Sequence, residues 1–516
     1  MSRRKRFLRN GLLLTAVALS ARAVSLFFGA FVTKTVGAEG IGLFTLIMTV
    51  YGFAVTFATS GVSLTVTKLV AAAIGEGRRD RVAGILRAAV GYAMLFSVGA
   101  TVILFFSAPF LGVRVLGDIR TVRSLRLLSS SLVPGALCAI FSGYFVGIRR
   151  VARNAATQVI AQGAKILLTL TILAKSAALG AEAACFALSL CSVLTDLVAF
   201  LVLFFQFLRE RRGEETGRKA REMSAVAGMA FPLAVSAYIR SALLTLEHVL
   251  IPKRLQKRGD TRSEALASYG VLHGMALPMI LFPMAPLTSF SGLLVPEFAE
   301  CHAAGDRVRM KRIAEEAYHL TLVYAVGISA FLLLFSEEIG YVVYHSYEAG
   351  VYIAFLAPVV PLMYLDHVTD SVLKGIGEHV YSMWVNISDS LLSVILVFFL
   401  LPSMGIRGYG VVIIVMEGYN FLLSYLRLRR RIRFPLRPLR SFFLPLCTAT
   451  LSSVLAKALF VMNGRATGGF WLTMKILFAV SLFVALTMAA ECFLFHPRKH
   501  GGTHLGEKSG SEGGTP

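Results

Sequence analysis
The chain has 516 residues, of which 56% are apolar and only 16% charged, and its formal net charge is +23. A soluble globular chain is about a quarter charged, so this composition excludes an ordinary soluble enzyme of several water-facing domains. The basic excess lies mostly in short links between apolar runs, as the positive-inside rule requires. It therefore implies a membrane protein and no nucleic-acid partner.

Runs of about 20 apolar residues cross a bilayer as helices. In lipid the backbone must satisfy its own hydrogen bonds, which leaves helices or a closed barrel. The runs show no two-residue alternation, so the expected class is an all-α polytopic membrane protein. At the start, Arg3–Arg9, an apolar stretch and Ala21-Arg22-Ala23 imitate a secretory signal. The apolar run continues past Arg22 to about Val32, so a retained first helix is expected.

Fourteen spans are expected, at roughly 8–32, 41–73, 82–107, 122–148, 154–175, 180–207, 223–250, 264–297, 313–335, 351–373, 381–401, 405–427, 441–461 and 470–495. The Gly- and Ser-rich stretch 496–516 is expected to be a disordered tail. With the N-terminus inside, the inside segments hold 32 Lys and Arg and the outside segments 11. Both termini are therefore expected in the cytoplasm. The link holding Lys253, Arg254, Lys257, Arg258 and Arg262 breaks the rule. It is either a basic outside hairpin or the sign of a miscounted span. The cysteines at 138, 185, 191, 301, 447 and 492 form no CxxC pair and read as small apolar residues.

A repeat of about 225 residues runs through the chain. Val133-Pro134 is matched by Val360-Pro361, and Gly147-Ile148-Arg149-Arg150 by Gly375-Ile376-Gly377-Glu378. The turns at Gly180 and Gly405 correspond, as do those at Gly77 and Gly305. Spans 1–6 and 7–12 thus read as two six-helix lobes in parallel orientation. The expected organisation is a first lobe at 1–207, a linker at 208–222, a second lobe at 223–429 and two further helices within 430–495.

An ionisable residue inside a span marks a candidate site, because it needs a partner or a wet cavity. Arg22 and Arg240 lie deep in the first helix of each lobe, and Lys68 lies toward the inner end of helix 2. Cations from both lobes could meet at a cavity and hold an anionic group such as a pyrophosphate. Snorkelling is the competing reading, most of all for Lys68. Glu247 follows Arg240 by two turns on one face and joins the candidate substrate-binding set. Asp366 and Asp370 share a face of helix 10, Asn386 and Asp389 lie on helix 11, and Glu417 and Asn420 on helix 12. These could hold Na⁺ or a proton, or merely satisfy neighbouring helices. Gly61 in helix 2, and Pro278, Pro283 and Pro286 in helix 8, are candidate hinges or close-packing points. No GxxxxGK[ST], HExxH or GxSxG motif occurs, so no enzyme and no bound cofactor are expected.

The stretch Lys34-Thr35-Val36-Gly37-Ala38-Glu39-Gly40-Ile41-Gly42-Leu43 resembles the start of the polysaccharide-biosynthesis and stage V sporulation protein B family. Thr59-Ser60-Gly61-Val62-Ser63 and Lys68-Leu69-Val70-Ala71 support this, as do Pro134, Gly143–Gly147 and the turn at Gly180. The resemblance spans residues 7–495. It implies membership of the multidrug/oligosaccharidyl-lipid/polysaccharide (MOP) exporter superfamily. It also implies alternating access of two lobes, transport of a lipid-linked saccharide across the bacterial plasma membrane, and cationic cavity residues at the positions of Arg22 and Arg240. In some members the second lobe binds Na⁺, and Asn386 and Asp389 are similar in position.

The leading expectation is a flippase for an undecaprenyl-pyrophosphate-linked saccharide or peptidoglycan precursor, in contact with membrane lipids. A cation-coupled drug exporter would favour an acidic or aromatic cavity. A non-transporting scaffold for envelope assembly is a further reading, and a membrane glycosyltransferase is disfavoured by the short outside loops.

Overall fold
The computed structural model describes residues 3–59, 61–176, 180–210, 220–435, 438–461 and 468–495. The expected tail lies outside them, as do positions 211–219 of the expected linker. The side chain of Arg22 is likewise outside the described residues, although its backbone is helical.

The described residues form helices and no strand. In chain order they are α1 (Arg3–Thr59), α2 (Val62–Gly75), α3 (Arg79–Phe110), α4 (Thr121–Ser129), α5 (Leu132–Gly147), α6 (Val151–Ser176), α7 (Ala181–Glu210) and α8 (Ala220–Arg258). There follow α9 (Arg262–Gly270), α10 (Leu277–Leu281) and α11 (Ala285–Ala303), which are segments of one broken helix. Then come α12 (Arg307–Leu334), α13 (Ser336–Tyr344), α14 (Tyr347–Leu356), α15 (Val360–Gly375), α16 (His379–Met404), α17 (Ile406–Arg431), α18 (Leu444–Val461) and α19 (Gly469–Phe495).

Twelve stretches are long and apolar enough to cross a membrane, or thirteen if the bent pair α4–α5 counts as one span. The first of these runs from Ala23 to Gly75, 53 residues, or about 80 Å of helix against a core of about 30 Å. It breaks at Gly37, whose φ of 80° and ψ of 168° leave the helical region, and again at Gly61, with φ 68°. Fourteen passes would require α1–α2 to count twice and α4–α5 to count once.

The repeat reappears as geometry. After α2, Gly77 (φ 73°) closes the helix with Arg78 N donating to Ala73 O. After α11, Gly305 (φ 68°) does the same with Asp306 N donating to Cys301 O. After α5, Arg150 N donates to Phe145 O, and after α15, Glu378 N donates to Leu373 O. These matched positions all stand 228 apart. Close helix crossings repeat as well. A Cβ on Gly147 would lie 3.1 Å from Thr67 O, and one on Gly375 would lie 2.8 Å from Val295 O. Such crossings need a residue without a side chain.

Buried side chains gather accordingly. One cluster draws on Val62 to Ala230 and a second on Leu294 to Phe434. The largest, from Ala30 to Phe483, joins both halves. The final helices dock on α12: Phe483 lies edge-on to Phe331 with centroids 5.6 Å apart. Glu491 accepts from His319 at 2.9 Å and from Arg440 at 3.2 Å.

Candidate functional site
The second limb of α1 runs along α8, and this seam joins the two halves. Tyr238 Oη donates to Phe57 O at 3.3 Å, and Ser241 Oγ bonds Thr56 Oγ1 at 3.3 Å. Thr245 Oγ1 reaches Thr49 O at 3.5 Å. At the far end a Cβ on Gly61 would meet Ala230 O at 3.0 Å. Arg240 therefore stands at the level of Phe57, exposed, and pairs with no carboxylate at ion-pair distance among the described residues. Lys68, also exposed, lies in α2, beyond the break at Gly61. One turn beyond Arg22, Ser25 and Leu26 line a groove of about 340 Å³ with His273, Leu277, Pro278, Leu281 and Phe282 of the other half.

The acidic candidates separate into three groups. Asp366, Asp389 and Glu417 interact electrostatically with one another across α15, α16 and α17. Asp366 Oδ1 and Asp389 Oδ1 are buried without a hydrogen-bond partner. Carboxylates in that position need a proton or a cation. Asp389 also interacts with both Arg240 and Glu247, linking the basic and acidic candidates. Asp370 is held by Lys374 one turn away at 2.5 Å. Asn386 commits its amide N–H to Ser382 O at 2.7 Å on its own helix. Among the described residues no three His, Cys, Asp or Glu side chains converge as metal ligands.

Glu247 is buried rather than presented to a cavity. Its Oε1 accepts from Ser393 Oγ at 2.7 Å and from Tyr409 Oη at 3.1 Å. Beside it, His248 Nδ1 bonds Tyr269 Oη at 2.7 Å, and the His273 ring lies 4.6 Å from that of His248. In the first half Tyr51 Oη bonds Ser131 Oγ at 2.6 Å and donates to Asp196 Oδ2 at 3.0 Å. Residue spacing could not reveal these networks, because each joins helices 60 or more residues apart or depends on which face a helix turns inward.

At the end of the bundle near Gly37 the halves are tied by charge. Asp118, in the turn before α4, accepts from Arg120 at 2.8 Å and from Arg262 of α9 at 3.2 Å. Arg120 also reaches Glu39 at 2.9 Å, and Ser263 Oγ donates to the other Glu39 oxygen at 2.7 Å. Burial opposes ionisation of Asp118, but the Arg120 hydrogen bonds and the Arg262 charge hold its carboxyl below the usual aspartate range. This explains much of the basic link that broke the charge rule. Arg262 is neutralised across the seam, Lys253 donates to Arg114 O at 3.1 Å, and Arg254 lies buried over the Phe398 ring. At the opposite end Arg81 grips Glu222 of α8 through two nitrogens at 2.9 and 3.2 Å. The halves are pinned at both ends.

A family described as polysaccharide biosynthesis protein matches residues 7–302, more than half the chain. The chain belongs to the polysaccharide biosynthesis protein family. The MatE family matches residues 259–399. Stage V sporulation protein B of Bacillus subtilis (strain 168) is 26% identical over 418 residues, covering 79% of this chain and 80% of the relative. Sporulation protein YkvU of the same organism is 20% identical over 429 residues, covering 81% and 94%. Among solved structures, lipid II flippase MurJ in an inward closed conformation superposes with a TM-score of 0.70 at 15% identity, over 93% of this chain and 99% of that one. An inward-facing multidrug resistance MATE transporter of the MOP superfamily gives 0.66 at 15% identity, over 81% and 98%.

The chain is thus a multi-pass membrane protein of the polysaccharide biosynthesis protein family, with the fold of solved MOP-superfamily transporters. The family-like Gly-Ala-Glu-Gly-Ile-Gly stretch now has a physical account. Gly37 makes the turn, Glu39 takes partners from both halves, and Gly42 permits a close backbone crossing with α9.

Proposed function
We propose that this family member flips a lipid-linked saccharide with an anionic phosphoryl headgroup across the bacterial plasma membrane, with both termini in the cytoplasm. Arg240 carries the reading: an exposed guanidinium beside the seam of the two halves, coupled in charge to Asp389. A planar guanidinium recognises phosphoryl oxygens bidentately. The same cation cannot serve Asp389 and a phosphoryl group fully at once. Protonation of Asp389 releases Arg240 to the cargo, and loss of that proton draws it back, so one proton accompanies one headgroup. Arg22 and Lys68 extend the basic path along α1 and α2. The names of the relatives support this cargo class, since one solved structure of the same fold is a lipid II flippase.

The test is flipping of a fluorescent lipid-linked saccharide in reconstituted vesicles. Arg240→Ala abolishes it while the protein still inserts, and Arg240→Lys keeps a fraction. Wild-type rates in Arg240→Ala would overturn the assignment. The acidic trio Asp366, Asp389 and Glu417 favours a second reading, export of a cationic drug. In that case Arg240→Ala would leave drug efflux intact and Asp389→Asn would abolish it.

A further inference from the structure
In the first half, α6 crosses the membrane with a polar face. Asn154, Gln158, Gln162, Lys165 and Thr169 follow one another at steps of four, four, three and four residues, which sets them on one side of a helix. The opposite side carries Val159, Ile160, Leu167 and Leu170, all exposed, as a lipid-facing side requires. The polar side turns inward. Gln162 Nε2 donates to Ser25 Oγ of α1 at 3.3 Å, and Ser25 lines the groove between the halves. Lys165 interacts electrostatically with Asp196 of α7.

Lys165 stands two residues past the middle of the span Ala152–Ala174. The apolar core is about 30 Å thick, so a lysine there is too far from either interface to snorkel. Its ammonium is partly exposed, pairs with no carboxylate at ion-pair distance and finds no hydrogen-bond acceptor among the described residues. Asp196 is engaged elsewhere: its Oδ2 accepts from Tyr51 Oη at 3.0 Å. A cation held in the membrane interior without a counter-ion marks a ligand path. The repeat supplies a contrast. Lys165, Gln162 and Gln158 stand 228 positions before Ser393, Ser390 and Asn386 of α16. In the second half this side also carries Asp389, and Ser393 donates to Glu247 at 2.7 Å. The same side of the repeat is thus acidic in one half and basic in the other.

We propose that the polar face of α6 is a binding wall for the anionic headgroup of the cargo, with Lys165 as the cation that meets its phosphoryl oxygens. An ammonium serves such a group as a point charge. Gln162, one turn away, joins this wall to Ser25 and the groove. The inference rests on the reading that the cargo carries a phosphoryl group. It adds a contact from the first half to that of Arg240 in the second.

The experiment takes the full chain in detergent with farnesyl pyrophosphate, and in vesicles with the fluorescent lipid-linked saccharide. The pyrophosphate should raise the melting temperature of wild type. Lys165→Gln should melt like wild type without ligand, need about tenfold more pyrophosphate for the same rise, and flip about tenfold more slowly, the loss of one charge-assisted contact. Lys165→Arg should keep most of both. A lysine that only neutralises Asp196 would lower the ligand-free melting temperature and leave the pyrophosphate requirement unchanged, and that result would overturn the proposal. Lys165→Cys in a cysteine-free chain, treated with aminoethyl or methyl methanethiosulfonate, is measured in parallel, so a folding failure of Lys165→Gln leaves the test standing. The aminoethyl adduct restores an ammonium and should recover pyrophosphate binding. Equal recovery with the methyl adduct would overturn the site. If Arg240→Ala loses the pyrophosphate response and Lys165→Gln keeps it, the cargo reading stands and α6 is not its wall. If wild type neither responds to pyrophosphate nor flips the saccharide, the cargo reading fails and this inference with it.

Discussion

Gly42 and Gly270 meet backbone to backbone, and each is the other's image under the 228-residue repeat. A Cβ on Gly42 would lie 2.1 Å from Leu266 O, and one on Gly270 would lie 2.1 Å from Ala38 O. Leu266 is in turn 228 positions after Ala38. The contact is therefore reciprocal, as at an isologous two-fold interface. Gly42→Ala must push the crossing apart, at a cost of about 1–3 kcal/mol, which moves a two-state equilibrium about fivefold or more. In a cysteine-free background carrying Thr49→Cys, labelling by an impermeant maleimide should rise by that factor. Unchanged labelling would show that the crossing does not seal this end.

The Asp118 cluster makes a second, electrostatic seal. Asp118→Asn removes the acceptor shared by Arg120 and Arg262, so Thr49→Cys labelling should rise here as well, and salt should have less effect than in wild type. The Asp118 carboxyl titrates below the ordinary range, so its contribution is complete at neutral pH and is lost only as pH falls through that lowered value. Between pH 7 and pH 5 the seal should not weaken through this group. An opening with a midpoint near neutrality would contradict the assignment.

Glu378 offers a cleaner pH test, because it sits in a turn outside the spans. Arg427 donates to it at 2.8 and 3.1 Å and Arg431 at 2.5 Å, and these hydrogen bonds hold its carboxyl below the usual glutamate range. The pair ties the α15–α16 turn to the end of α17. Its stabilisation is present above the ordinary glutamate value and lost as pH falls through the depressed one. Glu378→Gln should lower the melting temperature in detergent at pH 7, and the gap to wild type should close in acid. A gap that widens in acid would reverse the sign of the argument.

Glu247 is predicted to depend on its neutral hydrogen-bond donors. Glu247→Ala leaves the hydroxyls of Ser393 and Tyr409 unpaired in the interior, at about 1–3 kcal/mol. Glu247→Gln keeps an acceptor and should melt close to wild type. If Glu247→Gln melts as low as Glu247→Ala, the ionised carboxylate itself is needed.

Lys68 and Arg240 should act separately. Arg240 lies on α8 at the level of Phe57, and Lys68 lies on α2 beyond the break at Gly61, so a double-mutant cycle on flipping should give a coupling below about 0.5 kcal/mol. A coupling well above that would place both on one headgroup at one moment.

Much of this protein was readable in one dimension. The apolar runs imply membrane helices because lipid forbids any other unpaired backbone, and local turn chemistry marked Gly77, Gly180, Gly305 and Gly405 as matched punctuation. The buried carboxylates of α15–α17 stood out because charge is rare in such runs. What the tertiary structure decided is which of these groups face one another. It let the charge of Arg240 reach Asp389 and enclosed Glu247 behind Ser393 and Tyr409. It turned a basic link that broke the charge rule into one bound to Asp118, carbonyl oxygens and an aromatic ring. Helix periodicity tells which residues share a face, but not which face turns inward or what meets it. Only packing across more than 200 residues of chain places Gly270 on Gly42.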